Sequence, residues 1–185
     1  MPSEKPRAIG RKCTITCYVD ADHARDVVSR RSVTGILIMV NNTPVSWVSK
    51  HQKTVESSTY GSELVASRIA VETIISLRYF LYMLGADLEP CSHLLGDNMA
   101  VVLNTTIPSS TLKKKHQACN YHKVRESIAA GFIKYGHIKS EDNVADLLTK
   151  PLGRNAFERL TSKYLFRRPQ TVLKGTHMKN TLKPP

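Results

Sequence analysis

Thr14-Ile15-Thr16-Cys17-Tyr18-Val19-Asp20 is the stretch on which the fold turns. Apolar and polar side chains alternate through residues 14–19, and strand formers dominate, so the segment predicts a half-buried strand that ends on a carboxylate. Two more runs follow. Val33 to Val40 is continuously apolar apart from Thr34 and Gly35, and Val45-Ser46-Trp47-Val48 lies beyond a turn signal at Asn41-Asn42. Three antiparallel strands joined by short turns are the simplest arrangement of these pieces.

The period then changes. From Ser58 onward Leu64, Val71, Ile74, Ile75 and Leu81 recur at separations suited to a helix, and Gly85 marks its end. Ser57, Ser58 and Thr59 offer oxygens to cap its first amides, so a helix of six or seven turns is expected. His93-Leu94-Leu95-Gly96 predicts a fourth strand, and Met99 to Leu103 a short helix before Pro108-Ser109-Ser110. Residues 111–130 predict a second helix, Phe132 to Ile138 a fifth strand, and Asn143 to Lys150 a final turn or two of helix. Strands in a hairpin series followed by strands alternating with helices imply an α/β fold, a mixed sheet with helices packed on it.

Composition limits the function classes. The chain has 185 residues, 41% of them hydrophobic, enough to build a core. No run approaches the roughly 18 to 20 apolar residues of a membrane span, so no membrane partner is expected. The amino-terminal residues lack the apolar run of a secretory signal, which makes an intracellular site, cytoplasmic or nuclear, the expectation. Cys13, Cys17, Cys91 and Cys119 are irregularly spaced and read as reduced structural thiols. The net charge of +12 is uneven: residues 1–12 hold four cations and one anion, residues 151–185 eight cations and one anion, and residues 13–150 are nearly balanced. Residues 1–12 therefore read as a basic linker, 13–155 as the folded domain and 156–185 as a basic extension, disordered beyond about Phe166.

Four acids fall where elements begin or end: Asp20, Glu63 at the start of the long helix, Asp97 after the fourth strand, and Asp146 near the start of the last helix. Each taken alone reads as a solvated cap or salt-bridge partner. Together, flanked by apolar residues, they would repel one another unless they hold a hard cation. Oxygen-only ligation points to Mg2+ or Mn2+ rather than zinc. His116, Cys119 and His122 offer three ligands at spacings of three, one fewer than a closed zinc site requires. Lys115, His122 and Arg125 fall on one face of the predicted helix and read either as phosphate contacts or as a solvated basic face. His116 is a candidate for handling substrate or product, and Trp47 reads as core packing.

The local contexts of these acids resemble the ribonuclease H domain of copia-type LTR retrotransposon Pol polyproteins. Tyr18-Val19-Asp20-Ala21-Asp22 is similar to that family's opening motif. Arg30-Arg31-Ser32-Val33-Thr34-Gly35, Ser46-Trp47-Val48-Ser49-Lys50 with Gln52, and Ser58-Thr59 leading to Glu63 follow in the family's order. So do Asp97-Asn98, Lys115-His116, Tyr121-His122 with Arg125-Glu126, and the run from Asn143 to Leu152. The resemblance implies a ribonuclease-H-like fold with a five-stranded mixed sheet. It implies that Asp20, Glu63, Asp97 and Asp146 bind two Mg2+ ions, and that an RNA–DNA hybrid is cut in its RNA strand to leave 5′-phosphate and 3′-hydroxyl ends. Lys115, His116, His122 and Arg125 are the candidate substrate contacts, and the parent element's reverse transcriptase is a candidate partner. An inactive remnant that binds hybrid or RNA is the alternative. The sequence departs from the family pattern at Gly61, where a glutamate is common, at His23 in place of a tryptophan, and at Gly96 in place of a cysteine. With no stretch resembling reverse transcriptase or integrase, it reads as a solitary module, a fragment or a truncated reading frame.

Overall fold

A computed structural model describes residues 10–112, 114–162 and 164–165. The first three strands are β1 (Ile15–Asp22), β2 (Val33–Val40) and β3 (Thr43–His51). They pair antiparallel, β1 with β2 and β2 with β3. Asn41 and Asn42 both have positive φ, 50° and 65°, between the paired residues Val40 and Thr43. That is the two-residue hairpin geometry whose twist matches the strands, and asparagine tolerates it better than most side chains.

Helix α1 (Thr59–Met83) follows, capped by Ser58, whose hydroxyl accepts the Gly61 N–H. Strand β4 (Ser92–Gly96) runs parallel to β1, and β5 (Ile133–His137) runs parallel to β4. The sheet order is β3-β2-β1-β4-β5. Between the last two strands lie α2 (Met99–Thr106) and α3 (Ala118–Ala129). Gly85 and Gly131, with φ of 77° and 74°, end α1 and α3 in the left-handed conformation that a Cβ disfavours. The core lies where α1 and α3 cover one face of the sheet, with Ile15, Cys17, Val19, Ile36, Ile38, Leu64, Val71, Ile74, Leu94 and Val124 fully buried.

Three local expectations change. The second helix starts at Ala118, not near 111, because Gln117 turns wholly inward to Glu56 while Lys114 Nζ donates to Ser58 Oγ at 3.0 Å. These contacts hold the entry as an extended stretch and a 3₁₀ turn, Lys115–Gln117. Trp47 is not core: it is 66% exposed, because β3 is the sheet edge. Residues Arg154–Ser162 form an unexpected helix, α4, that buries Leu160 and Thr161. The disordered tail expected beyond Phe166 lies outside the described residues. No helix among the described residues is long and apolar enough to cross a membrane. The four cysteines are free.

Candidate active site

The parallel pairing of β1 with β4 brings the carboxyl ends of the two central strands together. Val19 is in register with Gly96, so Asp20 and the Asp97 that follows β4 project side by side. Glu63 comes from the fifth residue of α1, which packs on β1. One oxygen from each of Asp20, Glu63 and Asp97 lies within 4.8 Å of the other two. Asp20 is 2% exposed and Glu63 5%. Asp97 is half-buried, and like charges this close to two buried acids are costly unless a cation compensates them.

Asp146 arrives from the other side, on a 3₁₀ turn, Val144–Leu148. Buried Asn143 pins this turn: its amide donates to the Val19 carbonyl at 3.0 Å, and its side-chain oxygen accepts the Ala145 N–H at 3.2 Å. Ser49 Oγ holds the far end through the Leu148 carbonyl at 2.6 Å. Thr149 donates its hydroxyl to Asp20 Oδ2. Lys150 Nζ lies 3.0 Å from Asp146 Oδ1 and 3.7 Å from Asp20 Oδ2. Asp146 Oδ1 is buried and has this charge beside it but no aligned hydrogen-bond donor.

The electrostatics follow from this crowding. Burial, then the charges of Asp20 and Asp97, push Glu63 up to about 9, against a weaker downward pull from an Ala21 backbone hydrogen bond and Lys150. Asp20 and Asp146 are both raised, chiefly by burial, although Thr149 and Lys150 oppose this at Asp20 and Lys150 opposes it at Asp146. Burial alone would lower Lys150, yet the charges of Asp20, Asp146 and Asp97 raise it. Such a site holds its carboxylates ionised only when positive charge is supplied. The donor set is oxygen only, and Asp146 Oδ1 has only the Lys150 ammonium beside it. These residues fit a hard divalent cation, and Asp20, Glu63, Asp97 and Asp146 are the groups that would hold it.

The basic candidates divide between places: His122 and Arg125 line one cavity and His116 another. Lys115 lies in the 3₁₀ turn before α3, so the single helix face expected for Lys115, His122 and Arg125 does not form. Arg125 is occupied: its guanidinium donates to the carbonyls of Asn104, Ile107 and Pro108 at 2.8 to 3.0 Å and stacks over Tyr121 at 5.1 Å. It braces the end of α2 with three of its five N–H groups. Exposed His122 packs edge-on against Tyr121. His116 sits elsewhere, 3.9 Å from Glu56 at a cavity of about 490 Å³ that Lys50, Lys53 and Arg68 also line. Among the described residues no metal-ligand cluster forms around His116, Cys119 and His122.

Two departures from the family pattern have structural counterparts. At Gly61 a Cβ would meet Glu56 Oε2 at 2.7 Å, so buried Glu56 fills space beside the position where the family often has glutamate. At Gly96 a Cβ would meet the Tyr135 hydroxyl at 2.8 Å, and that hydroxyl is bonded to Ser67 Oγ at 2.7 Å. Sequence reasoning missed the roles of Asn143, Thr149 and Lys150, although all three stand in the quoted run from Asn143 to Leu152. It also missed His137, whose Nε2 is 3.1 Å from the Asp97 carbonyl. A hydroxyl and a cation three and four residues after a candidate ligand were the available signal.

No protein-family profile matches the chain. It is 31% identical over 157 residues, 83% of its length, to a retrovirus-related Pol polyprotein from transposon RE2 of Arabidopsis thaliana, of which it covers 11%. It is 34% identical over 141 residues, 76% of its length, to the retrovirus-related Pol polyprotein from transposon TNT 1-94 of Nicotiana tabacum, of which it covers 10%. The chain is a homologue of transposon Pol polyproteins. It spans about a tenth of the length of these relatives. Among solved structures it is similar to LC11-RNase H1 in complex with an RNA/DNA hybrid, with a TM-score of 0.58 and 17% identity, covering 74% of this chain and 94% of that one. The Pol-related chain thus has the ribonuclease-H-like fold, and its carboxylate cluster lies at the carboxyl ends of β1 and β4.

Proposed function

We propose that this Pol-related chain is a Mg2+-dependent endonuclease, derived from a copia-type retrotransposon, that hydrolyses the RNA strand of RNA–DNA hybrids. The observation that carries the proposal is the approach of buried Asp20 and Glu63 and half-buried Asp97 to within 4.8 Å, with Asp146 beside Asp20. Homology to Pol polyproteins supports the hybrid as substrate, since reverse transcription generates it, and makes the parent element's reverse transcriptase the expected partner. Two Mg2+ ions, when bound, supply activation of the attacking water and stabilisation of the leaving 3′-oxygen. The four carboxylates orient that charge, Thr149 and Asn143 tie the Asp146 turn to β1, and phosphate contacts align the strand for in-line attack. Selection for RNA in the cut strand would rest on 2′-hydroxyl contacts across the minor groove.

A fluorogenic RNA–DNA hybrid incubated with and without Mg2+ tests the proposal. Cleavage that requires Mg2+ and leaves 5′-phosphate and 3′-hydroxyl RNA ends is expected. Salt-dependent binding with no cleavage in Mg2+ or Mn2+ would overturn it in favour of a binding remnant.

A further inference from the structure

Lys150 has no part in the proposed chemistry, yet its ammonium stands between two of the four acids, 3.0 Å from Asp146 and 3.7 Å from Asp20. Among the described residues no other lysine, arginine or histidine lies within ion-pair distance of Asp20, Glu63, Asp97 or Asp146. The placement is built in. The Lys150 N–H bonds back to the Asp146 carbonyl at 3.3 Å, which sets the two side chains on one side of the turn. The side chain is 36% exposed, against 3% for Asp20, so its outer part borders solvent and has room to withdraw. The Asp20–Glu63–Asp97 oxygens converge without Asp146, so that half of the cluster is open to a cation while the Asp20–Asp146 half already contains one.

We propose that Lys150 is a tethered counterion that occupies the Asp20–Asp146 side of the cluster before metal arrives, so that the two divalent ions bind unequally. The Asp20–Glu63–Asp97 group takes the first ion. The second binds only as the ammonium swings out, and its affinity is lowered by the displacement of a charge already in place. This rests on the metal-binding part of the proposed function and adds an order of filling. Lys150 acts through Asp20 and Asp146 and is a positioning residue: in the metal-free protein it keeps two buried acids from separating.

Mn2+ titration of the full chain without nucleic acid, followed by calorimetry and by the electron paramagnetic resonance of free Mn2+, tests this. The unmodified protein should show one tighter and one weaker class of site. Lys150→Gln, and separately Lys150→Met, should tighten the weaker class by about tenfold or more and leave the tighter class within about threefold. Both variants should melt lower than the unmodified protein without metal and equal to it in saturating Mn2+, whereas Lys150→Arg should behave as the unmodified protein. A readout without substitution is the 15N signal of the Lys150 ammonium during Mg2+ titration, which should move with the second ion and not with the first. Unchanged Mn2+ affinities in the variants, or an ammonium signal that moves with the first ion or never, overturns the inference while leaving the metal-dependent function standing. Loss of cleavage with unaltered Mn2+ binding also overturns it, since the lysine would then be contacting substrate. If the unmodified protein binds no Mn2+, the proposed function fails first and the order of filling with it.

Discussion

Gly35→Ala is the substitution whose effect can be worked most fully from the structure, because Gly35 pairs with Asp20 across β1 and β2 and faces the turn that carries Asp146. A Cβ at position 35 would lie 2.6 Å from Thr149 Cγ2, 2.8 Å from the Ala145 carbonyl oxygen and 3.1 Å from Leu148 Cβ. A threonine methyl can shift, but a backbone carbonyl pinned by Asn143 cannot turn aside. To reach ordinary contact near 3.4 Å, the turn must retreat from the sheet by about 0.6 Å. The cost of such overpacking is about 1–3 kcal/mol, and a domain of this size loses about 2–4 °C of Tm per kcal/mol. The same retreat carries Asp146 and Thr149 away from Asp20. A misplacement approaching 1 Å costs up to about 100-fold in rate, so kcat/KM on a hybrid should fall by about 10- to 100-fold. Thermal melting and initial cleavage rates measure both effects. Gly153→Ala, where a Cβ meets nothing within 4 Å, serves as the control and should change stability by less than about 1 kcal/mol. A Gly35→Ala protein that melts within about 1 °C of the parent and cleaves within about twofold would refute the reasoning.

Three further outcomes follow. Glu63 is raised to about 9 in the folded, metal-free protein from an ordinary value near 4.5. Its stabilising contribution is therefore full below about 4.5 and is lost as pH rises toward 9, because the folded state binds the proton that the unfolded state has released. Metal-free Tm should fall across that window, with a slope of at most about 1.4 kcal/mol per pH unit from this group; Glu63→Gln should flatten it, and a slope unchanged in that variant contradicts the assignment. Arg125→Met should cost about 2–4 kcal/mol by stranding three carbonyls, yet leave the salt dependence of hybrid binding unchanged. A fall of about one in that slope would instead restore Arg125 as a phosphate contact. Gln117→Leu should cost about 1–3 kcal/mol by removing the donor to buried Glu56, measured by denaturant unfolding, and a neutral result would dismiss that pair as a brace.

The sheet and α1 were legible because their signals are local. Val33 to Val40 is apolar to both ends, Asn41-Asn42 is turn chemistry, and Ser58 is a cap followed by a helical apolar stripe. Asp97 follows β4 as expected, whereas β1 continues to Asp22 because Ala21 and Asp22 still pair with β2, so Asp20 lies inside its strand and not at its end. What escaped depends on contacts distant in sequence. Trp47 looks like core until β3 is known to be the edge strand. The helix Arg154–Ser162 is disguised by a basic, weakly apolar segment and is held by burial of Leu160 and Thr161 and by Arg159, which bonds to the Glu141 carbonyl. Lys150 and Thr149 acquire meaning only when the turn after Asn143 folds against Asp20, 129 residues from Thr149 in the chain. Arg125 carries the charge expected of a phosphate contact, and its hydrogen bonds to the carbonyls at the end of α2 could not be read from that charge.

The central claim is that the converging carboxylates bind metal to cut RNA in a hybrid, and Asp97→Asn tests it most directly. The substitution keeps the shape of the side chain and removes one charge from the cluster. Initial rates of RNA-strand cleavage in Mg2+ should fall by at least about 1,000-fold, while hybrid affinity and Tm stay close to those of the parent chain. Cleavage at the parental rate by the folded Asp97→Asn protein would contradict the account.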